Sequence, residues 1–284
     1  MSIKHKIIVT KASGLKEPFS IEKLRNSLAR SNATSVEINS IVELLSPKLY
    51  EGISTKKIYS EAFRLLRRQS KPNAARYYLK KGIMELGPSG FPFEKFVGEI
   101  FKNLGYAVQV GKILKGKCVT HEIDVIAEKE NEIVLMECKY RNQPGINVDV
   151  KTPLYINSRF EDVLANGLLK NTDSKFAGWI TTNAKFTIDA IDYGRCKGLS
   201  LLSWDYPHNK ALKDLIDNSG IFPLTCLTTL TKQEKQWLLA KDHVLVKDIF
   251  NNRSLLLKAG VKETRLKYVY EEGLKLCFNN NKTN

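Results

Sequence analysis

No stretch of this chain approaches the roughly 18 consecutive apolar residues that a bilayer-crossing helix needs. The first residues, Met1-Ser2-Ile3-Lys4-His5-Lys6, lack the apolar core and small-residue cleavage site of a signal peptide. A soluble protein of the cytoplasm, with no membrane partner, is the expectation. Cysteine is sparse and scattered, five residues at 118, 138, 196, 226 and 277. No two stand in C-x-x-C spacing, which argues against a structural zinc centre and fits reduced thiols. No G-x-x-x-x-G-K-[ST] loop occurs, so ATP hydrolysis of the Walker type is excluded.

What is present is an ordinary globular composition, 284 residues with 43% hydrophobic and 26% charged side chains. That excludes collagen, a disulfide miniprotein and a mainly disordered chain. At roughly 100–200 residues per domain, one to three domains are expected. The net charge is +15 and is unevenly spread. Residues 1–89 hold 17 basic and 7 acidic side chains, whereas residues 90–216 hold 17 and 16. An excess in the first third suits contact with a polyanion, and equally a solubilising surface.

The chain reads as a short strand at 3–10, a turn at Ser13-Gly14, and four helical stripes. These open at Ser20, before Ile38, at Ser54-Thr55 and at Asn73, the last running to about Leu86. Gly87-Pro88-Ser89-Gly90 is the clearest boundary. Beyond it an amphipathic helix (Phe93 to Leu104) precedes strands at 106–114, 121–128 and 132–140. Then come a helix at 149–169, a buried strand at 176–181, a helix at 186–196, a strand at 199–204 and a helix at 208–217. Pro223 opens a last set of short helices, and Asn279–Asn284 reads as a frayed tail. The expected fold class is α/β. It has a mostly helical region at 1–86, a mixed sheet flanked by helices at 90–217 and a small helical region at 223–278.

The strongest chemical signal lies in two strands, His121-Glu122-Ile123-Asp124-Val125-Ile126 and Ile133-Val134-Leu135-Met136-Glu137-Cys138-Lys139. With the period-two alternation of a strand, Glu137 and Lys139 share one face and Met136 and Cys138 the other. If the strands pair, Asp124 and Glu137 converge beside Lys139. Carboxylates that converge repel unless a cation neutralises them, and all-oxygen ligation suits magnesium or manganese. Such an ion activates water and offsets phosphate charge, while a neighbouring lysine meets developing negative charge. The short string D-x(12)-E-x-K is also common by chance and fits a plain surface salt bridge. Glu94 on the preceding helix and the apolar setting of Asp124 and Glu137 weigh against that.

On the pieces GFPFEKFVGEIFKNLGY, HEIDVIA, IVLMECKYRNQPG and KFAGWITTNAKFTIDAIDYGRCKGLSLLSWD, residues 90–216 resemble the Mrr-like branch of the PD-(D/E)XK nuclease superfamily. The resemblance implies a restriction-endonuclease-like fold and a restriction or phage-defence role. It implies cleavage of double-stranded DNA with Mg2+ or Mn2+. By it Glu94, Asp124, Glu137 and Lys139 are catalytic, Asp124 and Glu137 ligate the metal, and the Cys138 carbonyl assists. Glu99 is a rival for Glu94, about 140° away around the helix. Glu122 is an additional carboxylate without an assigned role. Lys151, Tyr155, Arg159 and Asp162 recur on one helix face, which reads either as a phosphate-facing stripe or as an ordinary solvated face.

The pieces VTKASGLKEPFSIEKLRNSL, GISTKKIYSEAF and AARYYLKKGI resemble an ATP-cone, a nucleotide-binding regulatory domain. That resemblance implies ATP or dATP as an effector, held by Lys11, Glu17, Ser20, Lys23 and Thr55, and a nucleotide-dependent homo-oligomer. Ala12-Ser13 stands where the family commonly has Arg-Asp, so the choice between ATP and dATP stays open. Arg64, Arg67, Arg68, Lys71, Arg76, Lys80 and Lys81 form a basic stretch. Arg67 and Arg68, with Lys151 and Arg159, are the candidate DNA contacts. The C-terminal leucines read as core, or as a helix-hairpin-helix-like contact.

The leading expectation is a Mg2+-dependent endodeoxyribonuclease regulated by adenine nucleotide. The alternatives are a nucleotide-sensing DNA-binding regulator that does not cut and a junction or repair nuclease.

Overall fold

The hydroxyls of Ser20, Thr34, Ser54 and Ser70 each accept a hydrogen bond from the backbone N–H three residues on, and each opens a helix. The structure, a computed structural model, describes residues 7–169, 173–250 and 252–278. The Asn279–Asn284 tail and the first residues of the expected 3–10 strand lie outside them.

A hairpin of β1 (Ile8–Thr10) and β2 (Lys16–Pro18) leads into α1 (Ile21–Ala29), α2 (Ser35–Leu45), α3 (Thr55–Gln69), α4 (Lys71–Tyr77) and α5 (Leu79–Met84). A 3-10 turn containing Pro47 ends α2. The single helix expected from Asn73 to Leu86 is two. The break at Tyr78 lets α4 turn Ala74 and Tyr77 into the N-terminal core while α5 turns Leu79 and Ile83 into the next one. The apolar spacing runs through the break because both helices bury a face.

Then follow α6 (Phe91–Asn103), β3 (Ala107–Lys115), β4 (Thr120–Lys129), β5 (Glu132–Lys139), β6 (Asn147–Val148) and α7 (Lys151–Ala165). After these come β7 (Lys175–Thr182), β8 (Lys185–Phe186), α8 (Ile188–Cys196), β9 (Ser200–Leu202) and α9 (Leu212–Ser219). The sheet order is β3-β4-β5-β7-β9, antiparallel through β5 and parallel from β5 to β9. The pairs β1–β2 and β6–β8 lie outside it; β1 falls in the strand expected at 3–10, whereas β2, β6 and β8, only two or three residues long, escape sequence reading. One sheet face packs against α6, α9 and the C-terminal helices, and the other against α7 and α8. This is the expected class: a mostly helical first part, a mixed sheet flanked by helices, and a small helical end.

The end comprises α10 (Lys232–Ala240), α11 (Arg253–Lys258) and α12 (Glu263–Phe278). Its leucines join the same core as α5, α6 and one sheet face. Glu272, 2% exposed, accepts from the amides and hydroxyls of both Thr228 and Thr229. Arg76, 8% exposed, reaches Asp217 and the Leu276 carbonyl. No helix among the described residues is long and apolar enough to cross a membrane.

Candidate active site

The start of one helix and the ends of two strands meet in one place. Glu94 lies in the first turn of α6, behind Gly90. A Cβ at position 90 would stand 3.1 Å from Glu94 Oε1, so glycine leaves the carboxylate its room. Burial, then the fields of Asp124, Glu122 and Glu137, push Glu94 up to about 7. Its rival Glu99 points elsewhere, to Lys102 at 2.5 Å and Lys247 at 3.6 Å.

Asp124 sits where β4 turns over. Ile123 belongs to the core on the α7 side of the sheet and Val125 to the core on the α6 side. Across from Asp124, Gly111 takes the left-handed backbone conformation, φ 63°. The β4–β5 register ends at Val125 and Met136, and there the Asp124 carboxylate accepts the Cys138 N–H at 2.7 Å. Burial and then Glu137 raise Asp124 to about 6, against the pull of that hydrogen bond.

Glu137 is 5% exposed. Both its oxygens are engaged, Oε1 by Lys139 Nζ at 2.5 Å and Oε2 by Arg159 at 2.6 Å. A second nitrogen of Arg159 reaches the Glu122 carbonyl. The end of β5 is fixed from β7, where the Thr182 hydroxyl donates to the Lys139 carbonyl at 2.5 Å. Cys138 faces the α6-side core. Burial and the surrounding carboxylates push its thiol well up, which leaves it inert as a nucleophile.

The structure thus brings Glu94, Asp124, Glu137 and Lys139 together, with Glu122 near enough to act on Glu94. Arg159 reaches the site from α7, where the sequence left its stripe open between a phosphate-facing surface and a solvated one. It is the neighbour of Phe160 and one turn from Ile156 and Val163, all buried, and that spacing marks the flank of the packed face. Its guanidinium lies over the exposed Tyr155 ring at 5.6 Å. Asp162 also leaves the stripe. It accepts the Cys118 and Val119 amides at 2.8 and 3.3 Å and meets His121 at 2.8 Å. The His121 contact, aided by those amides, holds its carboxyl well below the ordinary range. Lys151, Arg67 and Arg68 are exposed, and Arg67 donates to the Thr228 carbonyl at 2.7 Å.

Among the described residues no group of three or more His, Cys, Asp and Glu side chains is arranged to hold a metal ion. The donor chemistry nevertheless fits a hard divalent cation at Glu94 and Asp124. Both are raised first by burial and then by neighbouring carboxylates, and a bound cation would offset both effects. For Glu137 to join them, Lys139 or Arg159 has to release an oxygen.

At the N-terminal hairpin, Glu17 lies between Lys11 at 2.6 Å and Lys23 at 3.5 Å. The Lys11 hydrogen bond is the main cause holding its carboxyl low. Ser20 caps α1 on the Lys23 amide. Thr55 starts α3, which the Thr10 N–H to Ile53 carbonyl bond holds beside β1. Three of the five expected nucleotide residues therefore form one ion-paired group, with Ser20 and Thr55 at adjoining helix starts.

Residues 222–277 match a family model described as AF1548-like, C-terminal. The chain is 29% identical over 181 residues to a protein of Archaeoglobus fulgidus described as uncharacterized, covering 63% of this chain and 99% of that one. It is similar to the crystal structure of AF1548, a protein of unknown function. That similarity has a TM-score of 0.55 and 28% identity over 66% of this chain and 98% of that one. A more distant likeness, TM-score 0.33 and 13% identity over 69% of this chain and 40% of that one, is to the MspJI restriction endonuclease bound to an oligonucleotide.

Proposed function

We propose that the chain is a Mg2+- or Mn2+-dependent endonuclease of double-stranded DNA, of restriction type, answering to ATP or dATP. The observation that carries this is the convergence of Glu94, Asp124, Glu137 and Lys139 at the ends of α6, β4 and β5. Two of these carboxyls are pushed up to about 7 and about 6, first by burial and then by neighbouring carboxylates. Such perturbation is a mark of functional sites.

In this reading Glu94 and Asp124 hold the ion, joined by Glu137 and the Cys138 carbonyl. Bound there, a divalent ion supplies charge neutralisation for a phosphate and a more acidic water. Lys139, held beside Glu137, orients the attacking water and meets the negative charge that develops on the phosphate. Arg159 fixes Glu137 from the other side. Exposed Lys151, Arg67 and Arg68 are candidate phosphate contacts, which would make affinity fall with salt. Lys11, Glu17, Ser20, Lys23 and Thr55 would receive the effector, with Lys11 and Lys23 turning from Glu17 to phosphate. A host-defence role and a nucleotide-dependent oligomer follow from the family resemblances alone.

The second reading, a nucleotide-sensing DNA regulator that does not cut, draws on the engagement of both Glu137 oxygens by cations. Plasmid cleavage separates the two. The first expects cutting that needs Mg2+ or Mn2+ and disappears in Lys139→Ala and Glu137→Ala while folding is kept. Cutting that survives Lys139→Ala refutes the site. Binding without cutting in any metal, on linear, nicked and branched DNA alike, selects the regulator.

A further inference from the structure

Away from the carboxylate cluster, a cleft of about 430 Å³ opens where α1, α3 and α4 meet the loop after β9 and the helix α9. That volume falls within the range of about 300–1,000 Å³ usual for small-molecule sites. Its wall from the N-terminal helices carries Lys23, Arg30, Tyr59 and Lys80. The wall from the sheet part carries Trp204 and Lys213.

The charge in it is unbalanced. Among the described residues Asp217 is the one acidic residue lining the cleft, and it is spent on Arg76 and Arg30, each at 3.3 Å. Lys80 lies over the Trp204 ring, 5.5 Å from its centroid, and no described carboxylate pairs with it. Asp205, whose field reaches it, is already ion-paired with Lys185. Burial, with Lys185 and Lys213 adding to it, pulls Lys80 below the ordinary lysine range, and an anion would relieve that strain. A cleft with uncompensated ammonium groups beside an indole and a phenol ring recognises a ligand with phosphates and an aromatic ring.

We infer that this cleft binds a nucleoside polyphosphate bridging the two parts of the chain, its phosphates toward Lys80 and Lys213 and its base toward Trp204. Of the five residues expected to hold nucleotide, only Lys23 lines the cleft, so Trp204 and Lys213 are new members of an effector site. The inference rests on the nucleotide part of the proposal above and needs no cleavage activity.

Calorimetric titration of the intact chain tests it, with ATP, inorganic triphosphate and adenosine as probes. The expected result is binding of ATP and weaker binding of triphosphate, with none of adenosine. Lys213→Gln weakens ATP by about tenfold, the loss of one charge-assisted hydrogen bond. Trp204→Phe weakens ATP and leaves triphosphate unchanged. Lys213 is half-exposed, so its variant reads binding without unfolding. Lys80→Gln, checked by its thermal midpoint, is the second variant. Full ATP affinity in both the Lys213→Gln and Lys80→Gln variants would overturn the inference, as would no ATP binding at all. Either result leaves the nuclease proposal to its own cleavage assay.

Discussion

Replacing Asp124 by Asn should make the protein more stable at neutral pH while it abolishes metal-dependent cutting. Asp124 is carried from an ordinary 3.8 to about 6 by burial and by Glu137. The folded state therefore holds this proton more tightly than the unfolded chain does. Stability is lost as pH rises from about 4 through about 6, because the folded protein must then keep a charge that unfolding would solvate. Taken at face value the displacement corresponds to about 3 kcal/mol. Partial solvent access and shared repulsion with Glu137 bring the expectation down to about 1–2 kcal/mol. An asparagine carbonyl can still accept the Cys138 N–H now bound at 2.7 Å, so that contact is kept. Urea unfolding with EDTA, at pH 4 and pH 8, measures the effect. The variant should gain at pH 8 and match the parent at pH 4. Added Mg2+ should raise the midpoint of the parent at pH 8 and barely move that of the variant. A variant less stable than the parent at pH 8 would refute the claim that Asp124 is held against repulsion.

Arg159→Met leaves Glu137 with Lys139 alone and should cost about 1.5–3 kcal/mol, the worth of a hydrogen bond to a charged group; a urea midpoint unchanged within error counts against the clamp. In Glu272→Gln the amide nitrogen cannot accept, so two of the four Thr228 and Thr229 donors lose their partner. A loss of about 2 kcal/mol is expected with no change in cutting per folded molecule, read by thermal unfolding and plasmid cleavage.

Much of the site was legible along the chain because strand alternation is a local rule. That rule put Glu137 and Lys139 on one face, and Cys138 with Met136 on the other, before any pairing was known. The helix starts were equally local, since a hydroxyl at Ser20 or Ser54 caps whatever follows it. The strand and helix order from Phe91 to Ser219, and hence a sheet covered on both faces, followed from the change in apolar period.

Three things required the tertiary structure. The choice of Glu94 over Glu99 depends on which turn of α6 lies over the end of β4, and sequence spacing says only that the two diverge. The burial of Arg159 against Glu137 depends on how α7 rolls onto the sheet, a rotation of a few tens of degrees that the helical repeat leaves free. The shared core of α5, α6 and the C-terminal helices depends on contacts such as Arg76 with the Leu276 carbonyl, 200 residues apart. Apolar spacing records that a face is buried and carries no record of what buries it, so packing alone chose the partners.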